Sequence, residues 1–322
     1  MSQARRHHYV SQFYLRAFAS DRSKPRLFVV NLDRGSSFTT SPANVALEND
    51  FHTITAPDQP PDAVERVLST LESEVAPALA RVIESASFAN EEDQGLILFF
   101  TTLLFVKNPQ MRAVMDKVAN ALMSLVAKSH ASNKAAWDEE MRLKQADGIM
   151  PQELDSEALR QSILNDEYTV SLTPEAHMQS EFGMAQPLLP HLTARKWNIY
   201  KATAGHFITC DRPVALIWAD PSETGPIGLG LPNTRVLFPL SSHVAISGGF
   251  ELKNATVEVG AVDVAKINGR IILNANHQVY ARDDQFEYLL PHNSHVMRGS
   301  DLSNDEVAKA RGANKKIDRT GQ

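Results

Sequence analysis

The sequence has one cysteine and no long apolar run, and each absence excludes a class of protein. Cys210 has no second cysteine with which to form an internal disulfide, which excludes a disulfide-stapled secreted scaffold. The longest apolar run, from Leu96 to Val106, is well short of the ~20 residues that span a bilayer, and predicts a buried helix. The chain opens MSQARRHH, without an apolar signal region. We therefore expect a cytoplasmic protein with no membrane partner.

An excess of positive charge and the common catalytic motifs are also lacking. Lys and Arg number 32 against 38 Asp and Glu, which gives a net charge of -6. This balance argues against a broad nucleic-acid or membrane-binding surface, although it permits a local basic patch. No Walker loop, HExxH or CxxC motif occurs. Gly225, Gly228 and Gly230 do not match the dinucleotide fingerprint and indicate a loop.

The order of hydrophobic patterns predicts an α+β fold. A short helix near Val10 to Phe18 precedes a β-hairpin formed by the RLFVVNL and FTT segments. A helical middle follows over about 61–193, and short β-rich runs over about 195–283 predict an antiparallel sheet with one helix. We expect one domain over 1–290. The polar residues 291–322 lack periodicity and predict a poorly ordered tail.

Glycine and proline predict three local features of the second half. Thr203-Ala204-Gly205 is typical of a tight hairpin between the first two β-rich runs, and Gly248-Gly249 of a further turn. Pro187 and Pro190 are expected to disrupt the last helix of the middle region.

Histidines supply the first candidate site. His7 and His8 lie just before the predicted first helix, where the helix field disfavours protonation and unpaired N–H groups attract anions. With Gln12 one turn later, they could bind a metal or a phosphate. A structural or exposed role is equally compatible, because adjacent side chains point in different directions. His243 and His277 fall in β-rich runs and could line a site or simply be packed.

Carboxylates supply the second set of candidates. Glu65 and Glu72 lie two turns apart on one predicted helix, and Glu72 borders its apolar stripe, so it needs a partner such as a metal, a histidine or an arginine. A simple salt bridge is the favoured alternative. Asp211 ends a β-rich run and Pro213 stops the strand, which presents the carboxylate where ligands often bind. Its alternative role is to accept bonds from turn N–H groups.

The segments HHYVSQFYLRAF, ENDFHT, FITCDRPV, LFPLS and INGRIILNANHQVYA resemble, in the same order, a bacterial family called domain of unknown function 4238. The resemblance spans most of the chain and implies no particular activity. The positions that it singles out are His7, His8, Gln12, Glu72, Asp211 and Pro213. The chain departs from the family pattern at Ser11, His52, Lys107 and Cys210, where proline, tyrosine, arginine and serine are usual.

We expect the N-terminal histidines His7 and His8, the helix glutamate Glu72 and Asp211 to converge on one polar pocket between the helical middle and the sheet. Imidazole and carboxylate together suit a divalent metal, with His7, His8 and Asp211 as ligands, which would activate water for hydrolysis. Phosphodiester cleavage is the first reaction to consider, so the leading hypothesis is a nuclease with nucleic acid as substrate. The alternative is a non-catalytic binding or interaction protein whose motif residues form a structural polar network.

Overall fold

A computed structural model of the protein describes residues 6–21, 23–54, 60, 62–306 and 309–310. The chain divides into two compact units, a larger one formed by Met1–Asn108 with Met178–Gln322 and a smaller one formed by Pro109–His177. The predicted α+β class is confirmed, with N-terminal strands, a central helical region and a mainly antiparallel C-terminal sheet.

The N-terminal segment contains the predicted short helix and β-hairpin, together with two short strands that were not predicted. Its elements are β1 (Arg6–His8), α1 (Gln12–Arg16), β2 (Leu27–Asn31), β3 (Ser36–Thr40) and β4 (Leu47–Asn49). Strands β2 and β3 form the predicted antiparallel hairpin, with Val29 opposite Phe38. Strand β1 pairs with β4 in a separate two-stranded sheet, which brings the two ends of this segment together.

Six helices form the middle of the chain. They are α2 (Ala63–Ser85) and α3 (Glu91–Val106) in the larger unit, α4 (Pro109–Ser132), α5 (Lys134–Ala146) and α6 (Ser156–Leu164) in the smaller unit, and α7 (Pro174–Thr193) across the boundary in sequence. No helix in the described ranges is long and apolar enough to cross a membrane.

The expectation that Pro187 and Pro190 disrupt the last helix is wrong, because α7 continues through both. Residues three apart share one helix face, so the missing N–H donors are confined to one side.

Two larger sheets complete the larger unit, and one of them includes the N-terminal strands β2 and β3. The C-terminal strands are β5 (Lys196–Ala202), β6 (Thr209–Cys210), β7 (Ala215–Trp218), β8 (Thr234–Pro239), β9 (Val244–Gly249), β10 (Ala255–Val259) and β11 (Gln278–Ala281), with α8 (Ala261–Asn274) before the last. One sheet has the order β10-β5-β9-β8-β7 and the other β3-β2-β11-β6. All pairs are antiparallel except β10 with β5.

The hairpin predicted at Gly205 and the turn predicted at Gly248-Gly249 are both wrong, for tertiary reasons. Gly205 has a φ of +76°, so a turn is present, but β5 pairs with β9 and β10 while β6 enters the other sheet. Gly248 and Gly249 lie inside β9. A Cβ atom on Gly248 would lie 2.8 Å from the indole of Trp197 in the neighbouring strand, so glycine gives room to that side chain.

The core has two faces because neighbouring strand residues point in opposite directions. Val29 and Phe238 belong to the cluster that packs with α1, α2 and α3, whereas Val30 and Leu237 belong to the cluster that packs with α8. Tyr14 of α1 is fully buried in the first cluster. Alternate residues of these strands therefore pack against helices on opposite faces of the sheets.

The predicted poorly ordered tail contains regular structure near its start. Strands β12 (Glu287–Tyr288) and β13 (Met297–Arg298) pair, and a 3₁₀ helix follows at Gly299–Asn304. Leu302 is buried in the α8-side cluster, and this apolar anchor offsets the polar composition around it. The end of the predicted tail, residues 311–322, lies outside the described residues.

Tyr14→Phe is expected to destabilise the protein. The phenol hydroxyl of Tyr14 lies 2.7 Å from Thr209 Oγ1 and donates to the carbonyl oxygen of Pro239 at 2.8 Å, in a fully buried position. Loss of these bonds leaves buried polar atoms without a partner, so the free energy of unfolding should fall by roughly 1–3 kcal/mol. Urea unfolding measures it. Tyr200→Phe is the control; an equal loss there would contradict this role of the Tyr14 hydroxyl.

Asp93→Asn is expected to lower the melting temperature at pH 7 but much less at pH 3. Two hydrogen bonds from Arg81 hold the pKa of the Asp93 carboxyl below its ordinary value of 3.8, against the effect of burial. Because the pKa of Asp93 is lower in the folded state, its carboxylate stabilises the fold fully at pH values above the ordinary pKa. This contribution is lost as the pH falls through the lowered pKa of the folded state. Circular dichroism at both pH values measures it. The exposed Glu92→Gln should show no comparable pH dependence.

Candidate functional site

The two N-terminal histidines lie on the small β1–β4 sheet. His7 is opposite Glu48 and His8 opposite Leu47. His7 is buried and His8 half-buried. Neighbouring strand residues face opposite sides, so the pairing that orders this segment also separates the two imidazoles.

His52 contacts His7 through its backbone and its ring. The His52 backbone N–H donates to His7 Nδ1 at 2.9 Å, and the two rings stack with centroids 5.6 Å apart and an angle of 16° between their planes. His52 is fully buried just after β4. Because Nδ1 accepts a bond, a neutral His7 carries its proton on Nε2.

Glu65 brings a carboxylate to this pair from the first turn of α2. Its Oε1 is in close hydrogen-bond contact with His52 Nδ1. Burial raises the pKa of Glu65, but the His52 bond and the nearby His52, His7 and Lys107 outweigh burial, so the pKa lies below its usual range. Glu65 is therefore a carboxylate at neutral pH.

His7, His52 and Glu65 form a group that fits a metal ion. One donor atom from each lies within 4.8 Å of the others. Donors about 2.1 Å from a tetrahedral ion are about 3.4 Å apart, so shifts of the order of 1 Å would close the site. A metal ion would need one unprotonated nitrogen on each imidazole, so protonation of the histidines would compete with the ion and metal affinity should fall as pH falls.

His8, Gln12 and Lys107 lie beside this group. Gln12 Nε2 is 3.4 Å from His8 Nδ1, and Lys107 Nζ donates to the His8 carbonyl at 3.3 Å. His8 Nε2 is buried. Burial lowers the pKa of His8, only partly offset by the carbonyl of Ala43 and the charge of Glu65. His8 is thus neutral at pH 7.

The two downstream candidates, Glu72 and Asp211, do not join the group formed by the histidines and Glu65. Glu72 lies on α2 two turns after Glu65, about 10 Å along the helix axis, and is not a member of the metal-type group. Asp211 is not a member either, and Pro213 follows it in the turn between β6 and β7. Of the residues predicted from the sequence, His7, His8 and Gln12 therefore come together with His52, Glu65 and Lys107.

Asp211 instead binds the backbone that leads into β11. Its Oδ1 accepts the N–H of Asn276 at 2.7 Å, and its Oδ2 accepts those of His277 at 2.6 Å and Gln278 at 3.1 Å. Burial raises its pKa, while these bonds and His277 act in the opposite direction. Both carboxylate oxygens are occupied, which is the turn-bonding role considered as the alternative for this residue.

Sequence reasoning left His52, Glu65 and Lys107 out of the candidate set, although signals for them existed. Glu65 was weighed beside Glu72, but the apolar stripe favoured Glu72 because it reports burial, not proximity to β1. His52 and Lys107 stand at positions where the family pattern has other residues. A search for polar residues at segment ends would have found all three.

Asp211→Asn is expected to lower the free energy of unfolding by roughly 2–3 kcal/mol, because the amide has one oxygen for three N–H donors. Urea unfolding at pH 7 measures the loss. Asp220→Asn is the matched control, since Asp220 makes a similar turn bond to Ser222 at an exposed position. An unchanged stability in Asp211→Asn would contradict the turn-bonding role of Asp211. Loss of bound metal from this variant would assign Asp211 a direct role in the metal-type group.

Comparison with known proteins gives a family and no activity. No curated protein and no solved structure matches the chain. One family model, described as a protein of unknown function (DUF4238), matches residues 6–285. That range contains β1, the His7–His52–Glu65 group, both larger sheets and the Asp211 turn. The protein therefore belongs to the DUF4238 family.

Proposed function

We propose that this protein is a divalent-metal-dependent hydrolase whose metal ligands are His7, His52 and Glu65. The observation that supports this is the group of donor atoms within 4.8 Å of one another, contributed by two buried imidazoles and a carboxylate. Two histidines and one carboxylate form the ligand set of many catalytic metal sites that keep a position open.

Hydrolysis fits the groups around this set. A bound divalent cation lowers the pKa of water and polarises an ester oxygen. His8 is neutral at pH 7, and with Gln12 as a donor to its Nδ1 the ring presents its Nε2–H as a hydrogen-bond donor to an oxygen that gains negative charge. The buried Lys107 adds a positive charge beside the same site.

Phosphodiesters are the substrate class that we propose, with nucleic acid as the first to test. The positive charges of Lys107 and of a bound divalent cation would complement a phosphate, and Lys107 can stabilise charge that develops on the phosphate oxygens. The net charge of -6 argues for contacts to a few phosphates and not for a broad basic face.

A non-catalytic binding role is the second candidate, and a specific observation favours it. His7, His52 and Glu65 already bond to one another, and the oxygens of Asp211 are fully used by backbone N–H groups. Such satisfied networks fix one arrangement of the chain, and here they would attach the N-terminal segment to the rest of the larger unit.

Glu65→Gln is expected to weaken metal binding by at least about 100-fold and to abolish metal-dependent hydrolysis, because the neutral amide is a poor ligand. Elemental analysis of protein dialysed without chelator, then reloaded with zinc, manganese or magnesium, measures metal content. Hydrolysis is assayed on DNA, RNA and a chromogenic phosphodiester. His52→Gln should behave in the same way.

Glu72→Gln is the matched control, since it makes the same change on the same helix two turns away. It should retain metal and activity. A wild-type protein that holds no metal after reloading, or a Glu65→Gln protein that holds as much as wild type, would refute the metal site and favour the non-catalytic role. Metal binding without hydrolysis of any phosphodiester would refute only the substrate class.

A further inference from the structure

A second site lies in the larger unit, at a cavity of about 660 Å³. Its walls come from α1, α2, the turn between β8 and β9, and Arg282 just after β11. The volume falls within the range of small-molecule binding sites. None of the six residues of the His7 site lines this cavity. The inference that follows therefore does not rest on the metal site.

Two arginines give the cavity its charge. Arg16 ends α1 with an exposed side chain that makes no ion pair or hydrogen bond to a described residue. Arg282 forms a loose ion pair with the neighbouring Asp283, whose Oδ2 lies 3.8 Å from Nε, beyond hydrogen-bond length. Glu84 also lines the cavity, is exposed, and forms no salt bridge with either arginine within 4 Å. The two guanidinium groups are thus available to an anion.

The turn between β8 and β9 adds neutral hydrogen-bond donors to the lining of the same cavity. Ser241 Oγ accepts the backbone N–H groups of His243 at 3.2 Å and Val244 at 3.0 Å, which leaves its hydroxyl proton free to be donated. The hydroxyl of the buried Ser242 makes no hydrogen bond to a described residue. The Ser242 backbone N–H donates to the Ala17 carbonyl at 3.2 Å, which fixes this turn against α1.

His243 lies at the edge of this cavity and is held neutral. Its ring contacts that of His206 edge-on, with centroids 5.0 Å apart. Burial lowers the pKa of His243, and the charges of His206 and Arg282 lower it further. An anion bound beside Arg282 would remove part of that repulsion, so His243 can report on occupancy of the cavity.

Apolar side chains form another part of the lining. They are Ala80 and Ile83 of α2, with Ala17 and Ala19 after α1. Apolar side chains and guanidinium groups that line one cavity suit a ligand with a flat or hydrocarbon body and an anionic end. Inorganic phosphate would fill only a part of this space.

We propose that this cavity binds a small phosphomonoester of nucleotide size, with its phosphate held by Arg16, Arg282 and the hydroxyls of Ser241 and Ser242. Guanidinium groups match phosphate oxygens in geometry and charge, and hydroxyls supply the remaining donors. The body of the ligand packs on Ala80 and Ile83.

Calorimetric titration of the full chain, kept in chelator, with AMP, GMP, CMP, UMP, ribose 5-phosphate and inorganic phosphate tests the proposal. At least one organic phosphate should bind with a Kd of roughly 1 mM or tighter, and more tightly than inorganic phosphate. Arg16→Gln and Arg282→Gln should each weaken that binding roughly tenfold or more, because each removes charge-assisted bonds. The imidazole NMR signals of His243 should shift on binding in the wild type.

Arg34→Gln is the matched control, since Arg34 is an exposed arginine of the same unit outside the cavity. Its affinity should equal that of the wild type, and all variants should melt near the wild-type temperature without ligand. The proposal is overturned if no organic phosphate binds, if binding survives the Arg16→Gln/Arg282→Gln double substitution, or if Arg34→Gln weakens it equally. Equal binding of adenosine or of citrate would overturn the phosphate assignment.

Discussion

The hydrogen bonds of the Tyr14 hydroxyl are the contact on which the arrangement of the larger unit depends. Tyr14 joins α1 to Thr209 in one sheet and to Pro239 in the other, and its ring stacks on Phe238 with centroids 5.2 Å apart. A fully buried phenol must keep its polar atom bonded, so α1 has one position relative to both sheets. That position places β1 and His8 just before the helix and Arg16 at its last residue. Both sites described above are therefore held by one short helix.

Asp211 and Glu65 show how hydrogen bonding separates structural from chemical roles of a carboxylate. Asp211 accepts three backbone N–H groups, so little of its charge remains for a ligand. Glu65 contacts imidazoles instead, and an imidazole proton can be exchanged for a metal ion, whereas a backbone amide proton cannot. The chemistry of the partner, and not burial alone, distinguishes the two positions.

Local structure could be predicted where neighbours in sequence decide it. The β2–β3 hairpin and the start of α3 are of this kind, since Asn90 accepts the Asp93 N–H within one turn. The Thr203–Gly205 turn was found, but its hairpin was not, because β5 pairs with strands that follow much later in the chain. Gly248 is explained by Trp197, a neighbour in the sheet that is distant in sequence.

The sequence by itself determined the fold class, the order of the helical and strand-rich regions and the polar character of His7, His8 and Gln12, because these follow from periodicity and local residue chemistry. Only the tertiary structure decided that Glu65 and not Glu72 meets the histidines, since both lie on one helix and only its first turn reaches His52. The same holds for the cavity, where Arg16 and Arg282 come from opposite ends of the chain. Strand pairing between distant segments creates these neighbours, and no local pattern in the sequence encodes that pairing.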